Sequence, residues 1–347
     1  MEYRRLGRTD LRVSAVALGT MTWGEQNTEA DGHRQMDYAL DHGVNFWDTA
    51  EMYPVPTRAE TYGRTEEIIG SWLSKRGGRD RIVLATKVVG PDDDRFPYIR
   101  DGAPRLDRRN ITAALDASLR RLRTDYVDLY QLHWPERDTN YFGRLGYDGT
   151  DGADGVPLEE TLDALAGLVK SGKVRHVGLS NETAWGTMRF LALSDAGRGP
   201  RMVSIQNPYS LLNRSFEVGL AEVAMREECG LLAYSPLGMG VLSGKYLDGT
   251  ASPQARLTRF PQYRRYRGPQ ADAATAAYVA LAREHGLDPA QMALAFVHGR
   301  PFVTSTIVGA TNLDQLAANI ASIEVRLSQE VLDGIEAIHR VYTFPCP

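Results

Sequence analysis

Eight short apolar runs alternate along this chain with longer stretches whose apolar residues recur at spacings of three and four, and that alternation restricts the fold more than any other feature. The runs cover residues 15–18, 44–47, 82–86, 127–132, 174–179, 203–205, 231–234 and 304–308. Helix-period stretches follow at 29–42, 64–75, 108–122, 158–171, 184–196, 216–228 and 314–320. Repeated βα units predict a parallel α/β sheet, and eight of them close into a (β/α)8 TIM barrel. The opening departs from the repeat: residues 3–6 and 11–13, around Gly7-Arg8-Thr9-Asp10, read as a hairpin that closes the barrel bottom. Further helices are expected at 271–285, 289–298 and 329–342, outside the repeat. The stretches 90–104, 136–155 and 248–269 are long for connections, and such loops belong with function or mobility at the carboxyl face.

The 347 residues could make two ordinary domains, but barrels of this kind run to about 250 residues or more as one, so a single domain over 1–347 is expected. A net charge of −4 with the signs interspersed leaves no basic stripe for nucleic acid or membrane. No apolar window reaches the ~18 residues of a membrane span. Met1-Glu2-Tyr3-Arg4-Arg5 lacks the apolar core of a signal peptide, so a cytoplasmic location is expected. The two cysteines rule out a disulfide framework. The seven histidines show no metal-binding spacing, so no metal is expected.

Three of the runs end in a titratable group: Asp48, Lys87 and His133, with Tyr53 close behind Asp48. Taken singly, such an Asp is more often a turn cap, such a Lys reaches solvent, and such a Tyr packs. On neighbouring parallel strands the four would converge at the carboxyl end, where barrels carry their chemistry. A cation beside a phenol favours the phenolate, so Lys87 is expected to ease the Tyr53 proton and make it a donor to a carbonyl oxygen. Asp48 would compensate the buried ammonium. His133 could donate a hydrogen bond that polarises the carbonyl.

Gly19-Thr20-Met21-Thr22-Trp23-Gly24, Asn45-Phe46-Trp47-Asp48-Thr49-Ala50-Glu51-Met52-Tyr53 and Val177-Gly178-Leu179-Ser180-Asn181, in that order, resemble the aldo-keto reductase superfamily over nearly the whole chain. Residues 205–214 and the insertion at 141–155 are similar to the branch of bacterial Tas-type proteins and potassium-channel β subunits. The resemblance implies NADPH-dependent reduction of small-molecule aldehydes and ketones, with Asp48, Tyr53, Lys87 and His133 as an unsubstituted tetrad.

On the cofactor side the resemblance implies that Thr20 and Met21 contact the cofactor, that Ser180, Asn181 and Gln206 hold the nicotinamide carboxamide, and that Tyr234 stacks on the ring. Ser235, Pro236, Leu237, Gly240 and Leu242 lie in a Gly-rich turn whose backbone N–H groups suit phosphate. Gly309 and Thr311 open a helix, a natural phosphate site, with Gln315 and Asn319 on the adenine side. The chain departs from the branch that places a cation in this last segment. Lys245 or Arg256 is expected to supply it, which favours NADPH over NADH.

Trp23, Trp134, Tyr141 and Phe142 are expected to wall an aromatic substrate cleft. Two other readings remain open: an NADPH-binding redox-sensing partner protein with slow turnover, and aldol chemistry through a Lys87 Schiff base. The second gives Tyr53, Asn181, Gln206 and Tyr234 no joint purpose. Oligomeric state and physiological substrate are not written in the sequence.

Overall fold

The computed structural model describes residues 1–92, 95–149, 155–249 and 251–347. Parts of all three long connections, at 93–94, 150–154 and 250, therefore lie outside the described residues. In chain order the elements are β1 Tyr3–Arg5, β2 Arg12–Ser14, β3 Val16–Gly19, α1 Glu29–Asp41, β4 Phe46–Asp48, α2 Arg64–Arg76 and β5 Val83–Val88. Next come α3 Arg108–Leu122, β6 Val127–Leu132, α4 Leu158–Lys170, β7 Val174–Ser180, α5 Ala184–Asp195, β8 Met202–Pro208 and α6 Phe216–Arg226. The last are β9 Gly230–Tyr234, α7 Arg256–Arg259, α8 Pro269–Glu284, α9 Pro289–His298, β10 Val303–Val308, α10 Leu313–Ala321 and α11 Gln329–Val341.

Strands β3 to β10 form a closed parallel barrel in the order β10-β3-β4-β5-β6-β7-β8-β9, with β1 and β2 as a separate antiparallel hairpin. This is the expected (β/α)8 barrel. Alternation along each strand divides the core in two. Ala17, Phe46, Val83, Ala85, Leu129 and Ile307 pack inside the barrel, where Leu6 and Val13 of the hairpin region join them and plug the bottom. Their neighbours Leu18, Trp47, Leu84 and Tyr130 face the helical layer instead. Gly7 turns the hairpin at φ +57, and a Cβ there would come within 2.5 Å of the Val203 carbonyl, so only glycine lets the turn sit so close to β8.

Polar residues at the helix starts account for many boundaries. Thr28 and Asp31 form a capping box on α1, while Asp107, Thr183, Asp288, Asn312 and Ser328 accept backbone N–H bonds at the heads of α3, α5, α9, α10 and α11. Three differences from the sequence reading matter for the site. Lys87 lies inside β5, because its side chain takes the inner face in phase with Val83 and Ala85. Strand β8 runs on past residue 205 and carries Gln206 within it. The connection 248–269 contains α7, which the Arg- and Pro-rich sequence concealed. Among the described residues no helix is long and apolar enough to cross a membrane.

Helix α2 meets α3 through Gly70, where a Cβ would lie 2.0 Å from the Arg121 carbonyl oxygen. Gly70→Ala should therefore overpack this contact and destabilise the fold by about 1–3 kcal/mol. A urea midpoint equal to that of the wild type would contradict so close an approach.

Candidate active site

Asp48 ends β4, Lys87 sits one residue before the end of β5, and His133 directly follows β6. The register sets Asp48 beside Ala85 and Lys87 beside Gln131, so successive inner-face residues of three strands meet at the carboxyl end. Lys87 is fully buried and donates to Asp48 Oδ2 at 2.7 Å, to the Thr49 carbonyl at 2.8 Å and to Tyr53 Oη at 3.5 Å. Its ammonium also lies 4.9 Å from the centre of the Tyr53 ring. The His133 ring meets that ring edge-on, with centres 5.9 Å apart. The structure thus brings Asp48, Tyr53, Lys87 and His133 together.

Asp48 has further donors. Its Oδ1 accepts from Gln206 Nε2 at 2.8 Å and from Gln131 Nε2 at 3.2 Å, and Gln206 also donates to Gln131 Oε1. Neutral amides thus fill the lone pairs that Lys87 does not reach, which is what a buried carboxylate requires. Sequence reasoning missed Gln131. Its signal was available: it stands two residues before His133, on the same inner face as Leu129.

Burial opposes charge on Lys87, but Asp48 and Tyr53 together outweigh it and hold the ammonium above its ordinary value. Tyr53 departs from the expectation. Burial raises its phenol above the ordinary range, and Lys87 recovers only part of that rise. The phenol therefore keeps its proton at neutral pH. Burial, aided by Lys87, keeps the His133 imidazole well below its usual value and hence neutral, and its Nδ1 has no partner.

Around this centre Thr20 Oγ1 donates to the Asp48 carbonyl, and the Met21 carbonyl accepts from Val55. Ser180 pairs in register with Gln206, and its hydroxyl donates to the Gln206 carbonyl. Asn181, at φ +53, donates through Nδ2 to the His133 carbonyl and accepts at Oδ1 from Tyr234 Oη. Arg265, which the sequence reading did not single out, donates to the same phenol oxygen. Burial pushes the Tyr234 phenol up to about 12.

Two of the segments expected at the cofactor make bonds of their own. In the turn after β9 the Gly240 and Leu242 N–H groups bond to the Leu237 carbonyl, and the Leu242 side chain is buried in the core. Gly238 likewise bonds back to Ser235, and Pro236 is buried beside them. At the head of α10, Gln315 Oε1 accepts from Thr311, and Asn319 Nδ2 donates to the Gly309 carbonyl, so both amides brace the turn.

The aromatic residues also divide. Trp23 is corrected from cleft wall to core: it is fully buried beneath α1 and α2, its Nε1 donating to Gln35. Trp134, buried and bonded to the Pro91 carbonyl, lies against His133, Phe96 and Phe142. Tyr141 and Phe142 border a cleft with Asn207 and Arg265 that adjoins the tetrad through Asn181. Among the described residues no group of three or more His, Cys, Asp or Glu could hold a metal ion.

Residues 15–340 match the Aldo/keto reductase family. The chain is 57% identical to Protein tas of Escherichia coli (strain K12) over 347 residues, the whole of both chains. It is 36% identical to Uncharacterized oxidoreductase YrpG of Bacillus subtilis (strain 168) over 350 residues, covering 100% of this chain and 97% of the relative. Against L-glyceraldehyde 3-phosphate reductase of Escherichia coli (strain K12) the identity is 30% over 355 residues, 96% of this chain and 93% of that one. The chain belongs to the aldo/keto reductase family and, with it, to the oxidoreductases.

Proposed function

We propose that this protein uses NADPH to reduce aldehydes and ketones to alcohols, with Tyr53 as the proton donor. The observation that carries the reading is the contact of Lys87 Nζ with both Asp48, at 2.7 Å, and the Tyr53 hydroxyl, at 3.5 Å, in a buried site.

The residues present fit a phosphorylated dinucleotide. Arg256 is buried, and among the described residues its Nε has no partner and its other nitrogens reach only Gln26 Oε1 at 3.1 Å and the Val55 carbonyl at 3.4 Å. Burial holds Arg256 below its ordinary value, while Lys245 is exposed. No carboxylate acts on either among the described residues. A buried cation without a counter-ion is costly, and a phosphate would supply the missing charge. Ser180, Asn181, Gln206 and Tyr234 would hold the nicotinamide end.

The bound cofactor supplies hydride to the carbonyl carbon. Tyr53 gives its proton to the oxygen as alkoxide charge grows, and Lys87 stabilises the phenolate left behind. Asp48, fixed by Gln131 and Gln206, keeps Lys87 charged and aimed. His133, neutral, donates a hydrogen bond to the carbonyl oxygen. A Schiff base at Lys87 fits poorly, because that chemistry needs a free amine and the surroundings of Lys87 favour the ammonium.

Tyr53→Phe should lower kcat for aldehyde reduction by about 10²–10⁴-fold while the NADPH Kd, read by fluorescence titration, is unchanged. Wild-type turnover in that variant would remove Tyr53 as the acid. Arg256→Ala and Lys245→Ala should each weaken NADPH by roughly tenfold to a hundredfold and leave NADH nearly unaffected. Equal losses for the two cofactors would move the phosphate contact elsewhere.

A further inference from the structure

Glu51 stands between Asp48 and Tyr53 in the loop after β4, and its side chain is fully buried. A buried carboxylate survives only with its lone pairs filled, and here they are filled from separate segments. Arg100 grips it with both terminal nitrogens, at 2.6 and 2.9 Å; Val89 N–H donates at 2.7 Å and Tyr62 Oη at 2.9 Å. Its own backbone N–H donates to the Lys87 carbonyl at 3.2 Å. Glu51 is thus bonded on both sides of the β5 end, to Lys87 through its main chain and to Val89 through its side chain.

Arg100 is anchored in turn. Its Nε donates to Asn110 Oδ1 at the start of α3, and Arg100 and Asp101 both take left-handed backbone conformations, φ +46 and φ +59. Two consecutive non-glycine residues in that region are held there by surrounding contacts, and such strain gathers at sites whose geometry matters. The clasp therefore ties together the loop that carries Tyr53, the strand end that carries Lys87 and the connection 90–104. The Lys87–Tyr53 contact, at 3.5 Å, is the longest bond Lys87 makes, so a small shift of the loop weakens it first.

We propose that the Glu51–Arg100 pair is a positioning device that holds the Tyr53 hydroxyl against the Lys87 ammonium. The inference rests on the proton-donor reading of Tyr53 given above. Neither residue touches the reacting atoms; they act through the loop.

The test compares the wild-type protein with two variants. Arg100→Lys keeps the charge and loses the two-pronged grip. The double variant Glu51→Gln with Arg100→Gln removes both charges, so that neither is left buried alone if a single change prevents folding. In protein labelled with carbon-13 at tyrosine Cζ, the Tyr53 resonance is assigned as the one missing from Tyr53→Phe. It should move in both variants, kcat should fall by about tenfold to a hundredfold, and the NADPH Kd should hold. A Tyr53 resonance that stays in place in both variants overturns the proposal, whatever happens to turnover. If the wild type reduces no aldehyde, the functional reading fails, and the resonance still decides the positioning claim.

Discussion

The site depends on one buried ion pair. Asp48 and Lys87 meet at 2.7 Å with almost no solvent contact, and removing one partner of such a pair costs about 3–5 kcal/mol because the other charge is stranded. A pair so placed is a poor way to stabilise a fold, since apolar residues of similar size would serve as well. Its value lies in what it does to its neighbours. The ammonium leans on the Tyr53 phenol and adds to the burial that keeps His133 neutral, while Gln131 and Gln206 stop the carboxylate from turning away.

The barrel makes this arrangement possible at low conformational cost. Asp48, Lys87, Gln131 and Gln206 all project from strands, whose inward alternation is set by the same apolar packing of Phe46, Ala85 and Leu129 that builds the core. Only Tyr53 and His133 stand on loops. His133 is fixed by its N–H to the Val88 carbonyl and by Asn181 on its own carbonyl. Tyr53 depends on a tight turn to Ala50 and on the clasp at Glu51.

Much of this was legible in the sequence for a physical reason. Alternating apolar runs report strands, and a titratable residue that interrupts or ends one is conspicuous, so Asp48, Lys87 and His133 stood out. Gln131 did not, because a neutral amide inside an apolar run carries no charge to catch the eye. Trp23 was misplaced because an aromatic after a strand reads alike whether it walls a cleft or packs beneath helices; its bond to Gln35 decides between them. The Arg100 clasp depends on residues 49 positions apart meeting across two loops, and no local pattern announces that.

The central claim is that Lys87 controls the Tyr53 proton. The most direct measurement is the pH profile of kcat/KM for aldehyde reduction in the wild type and in Lys87→Met. Loss of the ammonium removes the neighbour that most favours the phenolate, ahead of Arg256, so the account predicts a lower plateau and an alkaline limb displaced to higher pH. An alkaline limb in the same place in both proteins would contradict it.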